Sequence, residues 1–218
     1  MATAARWELL RTTIGLKAAM AISGAVLSGW AVLHMFGNLL VFAGPEIING
    51  YGAALHGGPV VWMQRVVLVT ALAVHVTGAA LLIRRSRRAR KQRYRHRLAT
   101  QTSTVASRTM PWGGLAIGLF LAYHVAHIYG AGHATFVAGD VHHNVVAGLA
   151  DPLAGTLYAL STLAFGLHIH HGTWSLFRSL GHTEPFGRGV RRATAGLAGV
   201  LTLGFLAPVI AAGFGLLG

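Results

Sequence analysis

The sequence predicts an all-α integral membrane protein: one bundle of five transmembrane helices, N-terminus cytoplasmic and C-terminus outside. Three observations predict it. Of 218 residues, 54% are hydrophobic and only 11% are charged, against about 25% charged in soluble domains, and mean hydropathy is +0.56. Five stretches (18–45, 66–83, 109–139, 152–177 and 193–218) lack Asp, Glu, Lys and Arg altogether, and each reaches the ~18–20 residues that a spanning helix needs. Finally, seventeen of the eighteen basic residues fall on one side of those alternating spans, and Arg65 alone falls on the other. The positive-inside rule makes the crowded side the cytoplasm.

The net charge of +13 therefore reads as topology rather than as a nucleic-acid surface. Three of the five acidic residues, Glu46, Asp140 and Asp151, lie on the opposite side. The spans use almost all of the chain, so residues 1–218 form a single domain. Residues 1–11 read as a short amphipathic lead-in. They lack the apolar core and small-residue cleavage site of a signal peptide, and are expected to be retained.

The first span, 17–43, is closed by Gly44 and Pro45, and an outer loop, PEIINGYGAALHGGP, follows. The second, 60–83, stops at RRSRRARKQRYRHR, a basic flank that attracts anionic lipid and offers a docking surface to an acidic partner. The third, 111–130, opens on Pro111, taken as a first-turn proline. A polar, histidine-rich outer loop, HATFVAGDVHHNVVAGLADP, leads to the fourth span, 153–177. The inner loop RSLGHTEPFGRGVRR then leads to the fifth, 193–216, which has no ionisable side chain and reads as a packing or lipid-facing helix. No strand pattern and no internal repeat is visible.

Each of the first four spans carries a histidine in apolar surroundings: His34, His75, His124 and His168. An ionisable side chain at membrane depth is costly and points to function by default. At ~1.5 Å rise per residue, His75 lies ~13 Å and His168 ~15 Å from the inner boundary, His124 ~20 Å and His34 ~25 Å. Two layers result: His75 with His168 toward the cytoplasm, His34 with His124 toward the outside. Paired imidazoles at two depths read as axial ligands of two haem irons stacked across the bundle. The absence of cysteine excludes disulfides, iron–sulfur ligation and covalent c-type attachment within this chain.

Gly37, Gly78 and Gly172 follow three of these histidines by three or four residues. Each would let a flat macrocycle approach the backbone, or serve helix packing. His127 competes with His124, and His170 and His171 compete with His168. His171, closer to the inner boundary, suits a propionate or quinone contact. His56, His133, His142 and His143 read as outer-loop residues, and His96 and His182 as inner-loop residues. No H-E-x-x-H spacing supports a zinc site.

In order and spacing, HMFGNLLVFAGPEIINGYGAALH, RRARKQRY, ASRTMPWGG, YHVAHI, GDVHHNVV and LHIHHGTWSLFRSLG resemble the cytochrome b subunit of succinate dehydrogenase or fumarate reductase. More narrowly, they resemble the single-chain, five-helix, two-haem b558 type. The resemblance implies two haem b groups, with His75 and His168 on the inner iron and His34 and His124 on the outer. A histidine followed four residues later by glycine and then by an aromatic (Gly172, Trp174) selects His168 over His171. The resemblance also implies a flavoprotein and an iron–sulfur subunit docked on the cytoplasmic face of a prokaryotic cytoplasmic membrane. Electrons pass from them to menaquinone or ubiquinone, so the dicarboxylate chemistry belongs to a partner chain.

Arg178 and Arg84 are then candidates for haem propionates. His171, Ser175 and Arg108, with Glu46 on the outer side, are candidates for the quinone site. Gly166, two residues before His168, stands where some two-haem relatives carry an acid, so a carboxylate proton path there is not expected. The alternatives are an anchor working in the fumarate-reducing direction, a cytochrome b561-like or nitrate-reductase-type anchor, and a transporter with histidine relays. A transporter of that kind is expected to show inverted halves with broken helices, and neither is visible.

Overall fold

A computed structural model describes residues 12–56, 58–89, 105–179 and 187–217; the side chains of residues 56, 105–108 and 178 lie outside that description. All regular structure among the described residues is helical. The helices are α1 (Thr13–Leu39), prolonged by a 3-10 turn (Leu40–Ala43), α2 (Pro45–His56), α3 (Pro59–Ala89), α4 (Val105–Ile128), α5 (Val141–Ala150), α6 (Pro152–Ser179) and α7 (Gly187–Gly213).

Local chemistry sets these boundaries. Thr12 caps α1, its hydroxyl accepting from the Gly15 N–H at 3.0 Å, so the helix begins four residues before Lys17. Proline, which lacks the N–H that a first turn leaves unpaired, opens α2, α3 and α6. The α3 helix runs past Arg84 to Ala89, and α7 starts at Gly187 and runs through Arg188, Arg191 and Arg192. Arginine is a good helix former, so charge ends the apolar span without ending the helix. The start of α4 corrects the expected one: Pro111 is the seventh residue of the helix rather than a first-turn residue. Membrane helices tolerate such a proline because neighbouring groups satisfy the freed backbone carbonyl.

Two helices end in the same way. Gly130 (φ 90°) and Gly215 (φ 66°) adopt positive φ. The following residues, Ala131 and Leu216, donate back to the Ala126 and Ala211 carbonyls at 3.0 and 2.8 Å. The left-handed glycine lets these bonds satisfy carbonyls that would otherwise be orphaned.

Both segments expected to be outer loops contain a helix, which corrects the loop reading. The α2 helix follows Gly44 (φ 94°) and carries the apolar residues Ile48 and Leu55 at helical spacing. The Asp140 carboxylate caps α5, accepting from the His143 N–H at 3.0 Å. Asn49 of α2 bridges the two, donating to Asp140 at 3.1 Å and accepting from the His142 N–H at 2.8 Å. Val41, Ile48, Leu149, Val209, Ala211, Ala212 and Leu217 form an apolar core beneath them. A second core (Met35, Ile169, Ala198, Leu201) joins α1, α6 and α7.

In the bundle, α1 packs against α3, α6 and α7, while α6 packs against α4 and α7. Four segments, Thr13–Ala43, Pro59–Ala89, Pro152–Phe177 and Gly187–Gly213, are long and apolar enough to cross a membrane, and only 11–28% of each apolar window is buried inside the chain. Leu33, Trp62, Val69, Leu153 and Leu203 instead face outward, each more than 60% exposed. So much outward apolar surface is what a lipid solvent requires, and the chain is built as a membrane protein. The α4 helix falls short of that apolarity, its sequence diluted by Gly113, Gly114, Gly118, His124 and His127.

Bonds from the His143 backbone N–H and the Asn49 side chain hold the Asp140 carboxyl below its ordinary 3.8. A depressed carboxyl stabilises the fold above its unfolded pKa, and that contribution is lost as pH falls through the folded value. Thermal melts in detergent should therefore show Asp140→Ala below wild type at neutral pH, with the gap closing only as pH drops below 3.8. A gap independent of pH would mean that the cap does not act through its charge.

Candidate functional site

The apolar sequence around His75 and His168 brings their rings together across the bundle. The centroids lie 6.2 Å apart with the ring planes at 64°. His34 and His124 form a second pair, at 5.8 Å and 78°. Two imidazoles binding one metal from opposite sides, each with N–metal near ~2.0 Å, place their centroids roughly 6 Å apart. The helices bearing each pair, α3 with α6 and α1 with α4, are not among the closely packed neighbours. In both cases the side chains meet across a gap that the backbones do not close.

Hydrogen bonds fix the inner pair. The Met20 carbonyl lies 3.1 Å from His75 Nδ1. A carbonyl only accepts, so Nδ1 carries the hydrogen and, in the neutral ring, Nε2 is left with its lone pair. That is the arrangement of a metal-binding imidazole oriented by a backbone acceptor. The Ser23 hydroxyl, 3.5 Å from the same nitrogen, donates back to the Ala19 carbonyl at 2.8 Å. On the opposite ring, His168 Nδ1 is buried with no hydrogen-bond partner among the described residues, a costly state for a polar atom.

Glycines open the space around this pair, though not all of those expected. A Cβ added at Gly24 would lie 3.1 Å from His75 Cε1, and one at Gly114 would lie 3.7 Å from His168 Cε1. Gly37 and Gly78 instead face Tyr51 and Met20, so their role is helix packing, while a Cβ at Gly172 meets nothing within 4 Å. Sequence reasoning missed Gly24 and Gly114 because each lies on a different helix from the ring it accommodates.

Those two glycines also calibrate the layers. His34 lies ten residues beyond Gly24 and His124 ten beyond Gly114, about 15 Å at 1.5 Å per residue. That exceeds the spacing expected from sequence.

Aromatic rings surround the outer pair. Trp30 stacks on His34 at 6.1 Å and 17°, Phe205 flanks it at 5.9 Å, and Phe120 lies 5.8 Å from His124. The Tyr158 hydroxyl is 3.0 Å from Nδ1 of both His124 and His127. His127 is buried and stacks on Tyr123 and His133, at 5.3 and 5.2 Å. On α4, His124 is thus the histidine that faces His34. On α6, His168 faces His75, while His170 is exposed and His171 is partly buried.

The remaining candidates lie apart from the pairs. Arg84 is exposed on α3, Ser175 is partly buried on α6, and Glu46 is exposed in the first turn of α2. The side chains of Arg108 and Arg178, like His96 and His182 entirely, fall outside the described residues. The outer histidines are held more firmly than a solvated loop would hold them. His133 Nε2 donates to the Asn144 carbonyl and His143 Nε2 to the Thr135 carbonyl, each at 2.8 Å.

Comparison of the chain with protein-family models, curated proteins and solved structures finds no match. Assignment therefore rests on the residues themselves.

Filling the space beside His75 should cost about 1–3 kcal/mol through overpacking. Gly24→Val is expected to lower the thermal midpoint accordingly. Gly29→Val, at an exposed position where an added Cβ meets nothing within 4 Å, should stay much closer to wild type. Equal losses would remove Gly24 from the ring's environment.

Proposed function

We propose that this chain is the di-haem cytochrome b membrane anchor of a succinate:quinone oxidoreductase, passing electrons from a cytoplasmic iron–sulfur subunit to quinone in the membrane. The observation that carries the reading is the two facing histidine pairs, at 6.2 and 5.8 Å, on two levels of one bundle. The order of motifs that resemble the b558 family supplies the partner subunits and the substrate. In this reading α4 is the fifth span, its 24 residues reaching about 36 Å. The basic inner end faces the cytoplasm of a prokaryotic cell, and the C-terminus lies outside.

Haem b, when bound, supplies one-electron transfer. The chain's own residues do the rest. His75 and His168 hold the inner iron, with the Met20 carbonyl orienting the His75 ring, and His34 and His124 hold the outer. The aromatic shell of Trp30, Phe120 and Phe205 keeps water from the outer pair. Arg84 and Arg178 sit at the inner end, where propionates need cations. Quinone reduction takes up protons as well as electrons. His171, Ser175 and Arg108 are the candidate contacts on the inner side, and the exposed carboxylate of Glu46 can exchange protons on the outer side. The same residues would serve an anchor working toward fumarate reduction.

A reduced-minus-oxidised spectrum of the purified protein should show b-type bands, with two haems per chain. His75→Ala or His168→Ala should remove one haem and leave the outer one in place. A chain without b-type bands overturns the reading, and loss of the outer haem alone in either variant overturns the pairing. Glu46→Gln should slow quinone turnover with haem content unchanged; unaltered turnover takes Glu46 out of the site.

A further inference from the structure

We propose that Tyr158 is a positioning residue that decides which histidine of α4 serves the outer pair, accepting a hydrogen bond from His124 and donating one to His127. The assignment deepens the reading of His124 as an outer ligand and rests on it. His124 and His127, three residues apart, share a helix face, and both present Nδ1 to one Tyr158 oxygen at 3.0 Å. A phenol has a single hydrogen. No other acceptor for it is found among the hydrogen bonds of the described residues, and a half-buried hydroxyl does not readily leave its proton unpaired. Tyr158 therefore donates to one ring and accepts from the other, and the two neutral imidazoles are forced into opposite tautomers.

The direction follows from position. His124 faces His34, and a ring that offers Nε2 to a metal carries its hydrogen on Nδ1. His127 then accepts at Nδ1 and holds its hydrogen on Nε2. It cannot swing away, being stacked between Tyr123 and His133. A Cβ added at Gly148 of α5 would lie 2.9 Å from His127 Cε1 and 2.8 Å from His133 Nε2, so α5 closes over both rings. Donation to His127 polarises the phenol oxygen and strengthens its hold on the His124 N–H. A more basic His124 ring favours the oxidised metal, so Tyr158 lowers the potential of the outer site and leaves the inner site, ten residues away along α4, untouched.

Two readouts test this. Ring-nitrogen NMR of the full chain in lipid nanodiscs, with isotopically labelled histidine, reports each tautomer: the two rings should be opposite without haem and in one fixed order with reduced haem bound. His124 should carry hydrogen on Nδ1 and His127 on Nε2, with Tyr158→Phe abolishing the contrast. The reverse assignment, or hydrogen on Nδ1 of both rings, overturns the proposal even if b-type bands are present. Absence of those bands overturns the haem reading separately. In the haem-loaded protein, Tyr158→Phe should shift the outer midpoint potential upward and leave the inner one fixed. His127→Phe, which keeps the phenol, should give a smaller shift of the same sign. No shift in either variant, or equal shifts of both haems, overturns it.

Discussion

The constraint on which the rest depends is the cost of placing imidazole among hydrocarbon. A polar ring at membrane depth is costly unless it finds partners, and this chain gives several of its rings a hydrogen-bond partner while leaving His168 Nδ1 without one among the described residues. His75 leans on the Met20 carbonyl, and His124 and His127 share the Tyr158 hydroxyl. The rings then meet in pairs across gaps between α3 and α6 and between α1 and α4. Packing follows from that arrangement. The α7 helix, without a histidine of its own, lies against α1 and α6 and supplies Ala198, Leu201 and Phe205 to their shared core.

The two ends of the bundle differ in kind. The outer end is covered by α2 and α5, tied together by Asn49 and Asp140 and underlain by an apolar core. The opposite end carries most of the described basic residues, among them Arg84, Arg85, Arg87, Arg88, Arg188, Arg191 and Arg192. This polarity matches the proposed traffic, with electrons arriving at the charged end from a docked partner and quinone arriving from the lipid.

Much of this was legible in the sequence. The long apolar runs marked four helices able to span a membrane, because lipid demands uninterrupted apolar length, and the arginine run from Arg84 marked where the apolar stretch of α3 gives way to charge. Depth counting paired His75 with His168 and His34 with His124, since rise per residue is nearly constant. What escaped was mostly what depends on neighbours from elsewhere in the chain, together with one helix start. The α2 and α5 helices read as loops because Asn49, Asp140 and His142 look polar until they are seen bonding to one another. Pro111 read as a helix start because its preferred position was weighed and the backbone before it was not. Gly24 and Gly114 gave no signal, since the rings they make room for are more than fifty residues away.

The matched intervals from Gly24 to His34 and from Gly114 to His124 make the helix backbone itself the ruler between levels. Side chains along those ten residues can vary and the ruler keeps its length. One residue inserted or removed turns everything beyond it by roughly 100°, swinging an imidazole from the interior toward the lipid. Away from Gly24, Trp30, Gly114, Phe120 and Tyr123, which border the histidine rings, these segments should therefore forgive altered spelling but not altered length.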